Sequence, residues 1–258
     1  MRPDAFLGTI VLCAVLTPAV VFFILRRWGE LGSLTPRLWL MLYGLGALMC
    51  VIVLPRKHLE SAIILRWPRS LWAYHLAQVD NELWEQLGKL AVILLALWLA
   101  SEPMRVLFTH RRSAAAVGYW TGLAYGIGEA VILAVLFMWP SWAPLFGLRT
   151  FTPYTIGWGY VWERLSAVHL HAVMGALIGL GLYGLIGLGS RLRPVAFFAL
   201  AMAYHHLVDG LIITAGFVPA LAGLIRQAGG LFVPMLVLAG LVILRLAYRI
   251  QPAEGGSP

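Results

Sequence analysis

Hydrophobic residues occur along the chain in runs that recur from end to end, separated by short clusters of charged residues and prolines. A run of about 20 apolar residues, wound as an α-helix, spans the hydrocarbon core of a bilayer. The pattern therefore predicts an all-α, polytopic membrane protein with about seven transmembrane helices in one bundle. The predicted spans are residues 5–25, 38–54, 82–100, 114–138, 162–188, 194–216 and 230–246.

The segments between the predicted spans differ in character. Residues 56–81 and 140–160 mix Trp, Tyr, Arg and Pro with apolar residues, a combination typical of the membrane interface. Residues 217–229 are expected to form a short re-entrant or surface piece. The tail, residues 251–258, is polar and is expected to be disordered. We expect residues 1–250 to form a single transmembrane domain with no soluble domain attached.

Composition and charge support a membrane protein. The chain is 61% hydrophobic and 12% charged, and a soluble domain carries about twice that charged fraction. The net charge of +8 comes mainly from arginines at span ends. In a membrane protein such charges set topology; here they predict an outside N-terminus and a cytoplasmic C-terminus. We expect a multi-pass protein of the plasma membrane of a prokaryote, with the lipid bilayer and not nucleic acid as its surroundings.

Four predicted spans carry ionisable residues inside apolar sequence. Such residues are rare in spans and usually face the bundle interior. At a rise of 1.5 Å per residue, Glu129, His171 and His205 lie roughly 10–16 Å below the same bilayer face. This shared depth favours one functional site over scattered structural groups. The polar residues are Glu82, Glu85, Gln86, Lys89, Glu129, Glu163, Arg164, His169, His171, His205, His206 and Asp209.

Helical spacing indicates which of these side chains share a face. Residues four apart are neighbours on a helix, so Glu85 can pair with Lys89. His205 can pair in the same way with Asp209, and an Asp can fix the tautomer of a His. His206 lies off that face.

The two histidines of the fifth predicted span cannot both face the same site. His169 points about 160° away from His171 by helix geometry. We choose His171 as the site residue, because Gly175 and Gly179 lie on its side and allow close packing there.

Glycines also mark one face of the fourth predicted span, where Gly118, Gly122 and Gly126 occur at intervals of four residues. Glycines at this spacing let another helix approach closely. Glu129 lies on nearly the same face, and a buried carboxylate needs a proton, a partner or a water. The pattern allows two interpretations, a tight helix crossing with one protonated Glu or the wall of a catalytic site.

Four short motifs occur in an order that resembles the PrsW-type intramembrane proteases, their YhfC-like relatives and the type II CAAX prenyl endopeptidases. The Aph scaffold subunit of gamma-secretase belongs with the same group. The chain departs from the usual motifs at Gln86 (for Glu), Ala130 (for Asn) and Asp209 (where Asn is common). The motifs are Glu85-Gln86-Leu87-Gly88-Lys89, Gly122-Leu-Ala-Tyr125-Gly-Ile-Gly-Glu129-Ala130, Glu163-Arg164 with His171-Ala172 and Gly175, and His205-His-Leu-Val-Asp209-Gly210.

The resemblance implies an intramembrane endopeptidase that hydrolyses peptide bonds with an activated water. Glu85 would be the general base, and Glu129 would hold or share the water. His205, oriented by Asp209, would stabilise the oxyanion, and His171 would complete the cavity as an oxyanion donor or a metal ligand. The supporting residues would be Gln86, Lys89, Glu163 and Arg164.

We expect no cofactor and no metal, although Glu129, His171 and His205 together could hold zinc. The substrate would be a membrane-embedded or membrane-anchored protein, and a partner membrane subunit is left open. One alternative is a non-catalytic scaffold like the Aph subunit, with a fully hydrogen-bonded polar cluster and no water-filled opening. The other is a proton-coupled transporter, which would use the same residues as relays and would favour an internal repeat that we do not find.

Overall fold

The computed structural model describes residues 1–27, 35–147 and 157–251, and within these ranges the regular structure is helical throughout. Six helical stretches are long and apolar enough to cross a membrane. This agrees with the predicted all-α membrane protein. The α-helices are α1 (Pro3–Thr9), α2 (Thr17–Arg27), α3 (Pro36–Val53), α4 (Lys57–Arg66), α5 (Leu71–Leu99), α6 (Ser101–Leu107), α7 (Arg111–Met138), α8 (Trp158–Ile186), α9 (Leu192–Ala215), α10 (Pro219–Ala228) and α11 (Phe232–Ile250).

The start of α5 corrects the sequence prediction. The span was expected to begin at Glu82 after an irregular segment, but the helix begins at Leu71. The Ser70 hydroxyl accepts a hydrogen bond from the backbone N–H of Ala73 and caps the helix. The first three turns contain polar residues, so a search for apolar runs did not recognise them as part of the helix. They are part of a helix whose polar face turns inward, and α4 occupies most of the remainder of the expected interfacial segment.

The chain end also differs from the expectation. Gln251, the first residue of the predicted disordered tail, is buried. Its amide nitrogen donates to the carbonyl oxygen of Leu180 at 3.1 Å, and the Arg193 side chain donates to its amide oxygen. Gln251 therefore connects the end of the described chain to α8, through Leu180, and to α9, through Arg193. The rest of the predicted tail, residues 252–258, lies outside the described residues.

The α7–α8 pair is the centre of the bundle. A methyl group on Gly118 would collide with the carbonyl of Gly175, and one on Gly122 with the carbonyl of His171. The relation is reciprocal, because a methyl on Gly175 would collide with the carbonyl of Gly118. Gly179 meets the Ala114 carbonyl in the same way. The predicted packing glycines therefore bring two helix backbones into direct contact.

Other helices surround this pair on two sides. Helix α3 packs against α7, where a side chain on Gly128 would strike the backbone of Ala47. Helices α5 and α9 contact each other and pack against α3 and α8, respectively, while α1 and α11 also pack on α8. Of the candidate spans, α8 is the most enclosed, with 83% of its apolar window buried. Side chains of α8 can therefore reach two separate environments.

Candidate functional site

Three side chains from three helices meet beside the glycine contact. Ligand-type atoms of Glu85 on α5, Glu129 on α7 and His171 on α8 all lie within 4.8 Å of one another. His171 Nε2 is 2.6 Å from Glu129 Oε2, and His171 Nδ1 is 3.7 Å from Glu85 Oε2. Gly126 makes this possible, because a Cβ there would lie 2.9 Å from the His171 ring. The glycine face and the acidic site are thus parts of one packing arrangement.

Helix α9 adds the remaining two predicted catalytic residues. His205 Nε2 lies 3.2 Å from Asp209 Oδ2 and 3.9 Å from Glu85 Oε2. The rings of His205 and His171 meet edge to face, with centroids 5.7 Å apart. The structure therefore brings together all five residues, from four helices, in one cluster.

Gln86 contacts His205 from the side opposite Asp209. Its amide nitrogen lies 3.0 Å from His205 Nδ1, so it donates to that nitrogen and leaves the ring proton on Nε2. Nε2 then faces both Asp209 and Glu85. The sequence analysis assigned the tautomer to Asp209 alone. The structure divides that task, since Gln86 holds one ring nitrogen and Asp209 the other.

Asp209 is itself held by a residue of α5. Gln78 donates to Asp209 Oδ2 at 2.6 Å. On the same helix, Asn81 donates to Glu85 Oε1 at 2.8 Å. Both residues lie in the segment that was expected to be interfacial, so the sequence analysis missed them. Gln78 lies three residues before Asn81, and Asn81 lies four residues before Glu85, so the three share one face of α5. This spacing was the signal available in the sequence.

Glu129 is balanced by an arginine. Arg164 Nη1 lies 3.3 Å from Glu129 Oε1. Its other nitrogens contact both carboxylate oxygens of Glu163, the bidentate geometry that orients a guanidinium well. The predicted supporting pair Glu163–Arg164 is therefore adjacent to the site and anchors Glu129 from the side opposite His171.

Lys89 lies deeper in the bundle than its predicted partner. Its side chain is fully buried, with Nζ 3.8 Å from Glu85 Oε2 and 4.4 Å from the centre of the Tyr125 ring. The first distance is too long for a hydrogen bond. The cation is therefore held partly by the face of Tyr125, a residue to which the sequence analysis gave no role.

Several buried polar atoms around this point have no hydrogen-bond partner among the described residues. They are Glu85 Oε2, Glu129 Oε2, His171 Nδ1 and Lys89 Nζ. Glu129 Oε2 lies 2.6 Å from His171 Nε2, but the two groups are not aligned for a hydrogen bond. An unsatisfied buried polar group costs roughly 1–3 kcal/mol. Their convergence on one space suits a ligand that both donates and accepts, such as water.

A cavity of about 310 Å³ adjoins these atoms. One edge is polar and includes Arg56, Lys57 and Glu60; Arg56 Nη1 lies 2.7 Å from Asp80 Oδ2. The other edge is apolar and is formed by α9 and α11. The apolar residues there are Val208, Ile212, Ile213, Val233 and Leu236.

The same cluster could hold a divalent cation. Glu85, Glu129 and His171 are the group with suitable ligand atoms among the described residues, and carboxylate and imidazole ligands both suit zinc. The ligand set considered from the sequence contained His205 in place of Glu85. The structure places Glu85 beside Glu129 and His171, while His205 Nε2 lies 3.2 Å from Asp209 Oδ2.

A second hydrogen-bonded chain runs beside the site. His206 Nδ1 lies 3.0 Å from Glu82 Oε1, and its Nε2 lies 3.1 Å from His75 Nδ1. The other nitrogen of His75 lies 3.2 Å from the Thr214 hydroxyl. Helix geometry correctly placed His206 off the His205 face, but His75 was missed. His75 and Glu82 are seven residues apart and share one face of α5.

His169 lies on the opposite side of α8. Its Nδ1 is 2.7 Å from the Tyr119 hydroxyl. This position agrees with the choice of His171 over His169 from helix geometry.

Comparison with known proteins adds no relative to this picture. No family model, no curated protein and no solved structure matches the chain.

Proposed function

We propose that this chain is an intramembrane endopeptidase related to the PrsW-type, YhfC-like and type II CAAX enzymes. One observation carries the proposal. Buried atoms of Glu85, Glu129 and His171 converge without hydrogen-bond partners beside a cavity of about 310 Å³. A scaffold gains nothing from uncompensated polar atoms, whereas a hydrolase needs such atoms to bind water and a developing oxyanion.

The proposal includes α5 as a seventh membrane crossing, with the N-terminus outside and the C-terminus in the cytoplasm. The 29 residues of α5 extend for about 44 Å as a helix, enough to cross a bilayer. Of its charged residues, Glu82, Glu85 and Lys89 are buried, and Asp80 is half-buried beside Arg56. The residues that α5 exposes alongside them are apolar, namely Leu83, Trp84, Leu87 and Leu94. This distribution favours a helix with lipid outside and polar groups inside.

In the proposed reaction, Glu85 takes a proton from water, and the water oxygen attacks the carbonyl carbon of a peptide bond. Glu85 Oε2 is suited to this because it accepts no hydrogen bond from the described residues and lies within 3.9 Å of nitrogens of both histidines. The His205 Nε2–H, shared between Asp209 and the substrate, stabilises the oxyanion, and His171 completes the polar wall of the cavity. The C–N bond then breaks, and the proton held by Glu85 passes to the leaving amine.

Glu129 acts through His171 in this scheme. Its carboxylate contacts Nε2 and so turns Nδ1 toward Glu85. Arg164 holds Glu129 in place from the other side. Glu129 is therefore a positioning residue that shares the site with the water, and no metal is required.

The substrate would be a membrane-embedded or membrane-anchored protein that enters past the apolar edge of the cavity. To test the proposal, purified protein is reconstituted in proteoliposomes with extracted membrane proteins, and new N-termini are labelled and identified. We expect new termini with the wild type and with the exposed control Glu102→Gln, and none with Glu85→Gln. New termini in equal number with folded Glu85→Gln would contradict the proposal.

Proton-coupled transport is the second candidate, favoured by the chain Glu82–His206–His75–Thr214. Such a chain could pass protons along α5 and α9. A pH-sensitive dye inside the same proteoliposomes distinguishes the two candidates. Transport predicts proton flux that stops with His206→Gln, while the peptidase predicts cleavage without net flux.

A further inference from the structure

A second, larger cavity lies on the side of α8 away from the proposed active site. It is an open groove of about 1390 Å³ with residues 12–25 (the segment Ile10–Leu16 and α2) on one side, α11 on the other, and α7 and α8 as its floor. Small-molecule sites are about 300–1,000 Å³, so this groove exceeds them. Its apolar walls include Leu16, Val20 and Ile24 on one side and Leu238 and Val242 on the other.

Charge in this groove is confined to one end and has one sign. Arg112, Arg245 and Arg249 line it, and among the described residues its lining includes no Asp or Glu. The start of α7 and the end of α11 lie side by side, because Arg111 Nη1 donates to the Tyr248 carbonyl at 3.1 Å. The arginines therefore lie close together at the end of the groove where α7 begins and α11 ends.

Helix α2, on the remaining side of the groove, brings further positive charge to the same end. Ile24 and Leu25 line the groove, and Arg26 and Arg27 follow them at the end of α2. Both arginines are exposed. Cationic side chains at the end of a long apolar groove complement a ligand with an anionic head and hydrocarbon tails.

The groove wall also has a fixed, unusual backbone. Residues Ile10–Leu16 form a π-helix, and Leu12 and Leu16 line the groove. Thr17 Oγ1 donates to the Leu12 carbonyl at 2.8 Å, and the Tyr43 hydroxyl donates to the Ala14 carbonyl at 2.9 Å. Segments of π-helix occur frequently at functional sites. Here two side chains satisfy its carbonyls and hold the wall in shape.

We propose that this groove binds an anionic phospholipid, with the phosphate at Arg112, Arg245 and Arg249 and the acyl chains between α2 and α11. The exposed apolar faces of these helices then contact a bound lipid in a defined place. The site is independent of the peptidase chemistry, since α7 and α8 separate it from Glu85 and Glu129.

Native mass spectrometry of the purified protein tests the proposal with phosphatidylglycerol and phosphatidylcholine offered in equal amounts. We expect phosphatidylglycerol to be retained at least about tenfold over phosphatidylcholine, because its headgroup carries a net negative charge whereas choline neutralises the phosphate of phosphatidylcholine. The triple variant Arg112→Gln/Arg245→Gln/Arg249→Gln should lose this preference. The matched control Arg66→Gln/Arg69→Gln/Arg226→Gln removes the same charge from exposed positions elsewhere and should keep it.

A second variant covers the case in which the triple variant does not fold. Ala116→Trp fills the groove floor without a change of charge and should abolish retention of phosphatidylglycerol. Equal retention of both lipids by the wild type, or unchanged preference in the folded triple variant, would overturn the proposal. A crosslinker at position 116 that captured a membrane helix of another protein, and not lipid, would also overturn the proposal.

Discussion

His169 and His171 stand two residues apart on α8 and have opposite surroundings. His171 lies among Glu85, Glu129 and His205, with one ring nitrogen unpaired. His169 makes a single 2.7 Å contact with the Tyr119 hydroxyl and lines an apolar groove. The two residue types are identical and the helix is continuous. The partner helices, not the residue itself, give each histidine its chemistry.

The difference depends on how closely α7 approaches α8. Where glycines allow backbone contact, side chains of both helices are directed to the α5 and α9 side and form a polar cluster. On the other side the α7–α8 pair forms the floor of a groove, which includes Ala115, Ala116 and Ala176 as well as Tyr119 and His169, and α2 and α11 stand apart. Close packing thus partitions the bundle into a reactive side and a lipid-like side.

The largest effect is expected when the close contact between α7 and α8 is disrupted. Gly122→Leu would place a side chain in the backbone of His171, which overpacks the centre of the bundle and should cost more than about 3 kcal/mol. We expect loss of the folded peak in size-exclusion chromatography and of cooperative thermal unfolding. Gly44→Leu is the control, because Gly44 has open space around it. A stable Gly122→Leu protein would show that close α7–α8 contact is not required.

The next effect isolates the reactive side. Glu85→Gln removes the proposed base and should lower the cleavage rate by roughly 10²–10⁴-fold. The protein should still fold, since the amide can keep the hydrogen bond with Asn81. Initial rates of new-terminus formation in proteoliposomes measure the change. A rate within about twofold of the Glu102→Gln control would exclude Glu85 as the general base.

A smaller effect is expected at the positioning carboxylate. Glu129→Gln removes the charged contact that orients the His171 ring and should lower the cleavage rate by about 10–100-fold, equivalent to roughly 1.4–2.7 kcal/mol in the activation free energy. The loss should appear in kcat with little change in KM, because Glu129 acts on the reacting groups. A change confined to KM would place Glu129 in substrate binding instead.

The smallest effect belongs to the other side of α8. His169→Gln removes one contact with Tyr119 and should change the free energy of unfolding by about 0.5–1.5 kcal/mol. Cleavage should stay within about twofold of wild type, because the residue is remote from the water. Thermal unfolding and initial rates are measured on the same preparation. Loss of cleavage without loss of stability would break the distinction between the two histidines.

Much of this arrangement could be predicted from periodicity. Apolar runs indicated seven spans, six of which correspond to helices long and apolar enough to cross a membrane. Glycines at intervals of four indicated that another helix packs closely on α7, although not which one. Helix geometry also separated His171 from His169, since a helix fixes direction locally. These features depend on one helix at a time.

Features that depend on two helices were missed. Nothing local shows that Gln86 meets His205 or that Lys89 lies over the Tyr125 ring. The polar first turns of α5 were interpreted as interfacial, because an apolar-run criterion cannot recognise a helix whose polar face is buried. Packing between α5, α8 and α9 places Glu85, and not His205, beside Glu129 and His171. Residue spacing within one helix does not encode such packing.

The central claim is that water bound among Glu85, Glu129 and His171 attacks a peptide bond. Proteoliposomes with co-reconstituted membrane proteins are incubated in H₂¹⁸O, and the C-termini of the products are examined by mass spectrometry. The account predicts a single ¹⁸O in each new C-terminal carboxylate with the wild type, and no labelled product with Glu85→Gln. Absence of labelled C-termini with folded wild type, or equal labelling with Glu85→Gln, would contradict it.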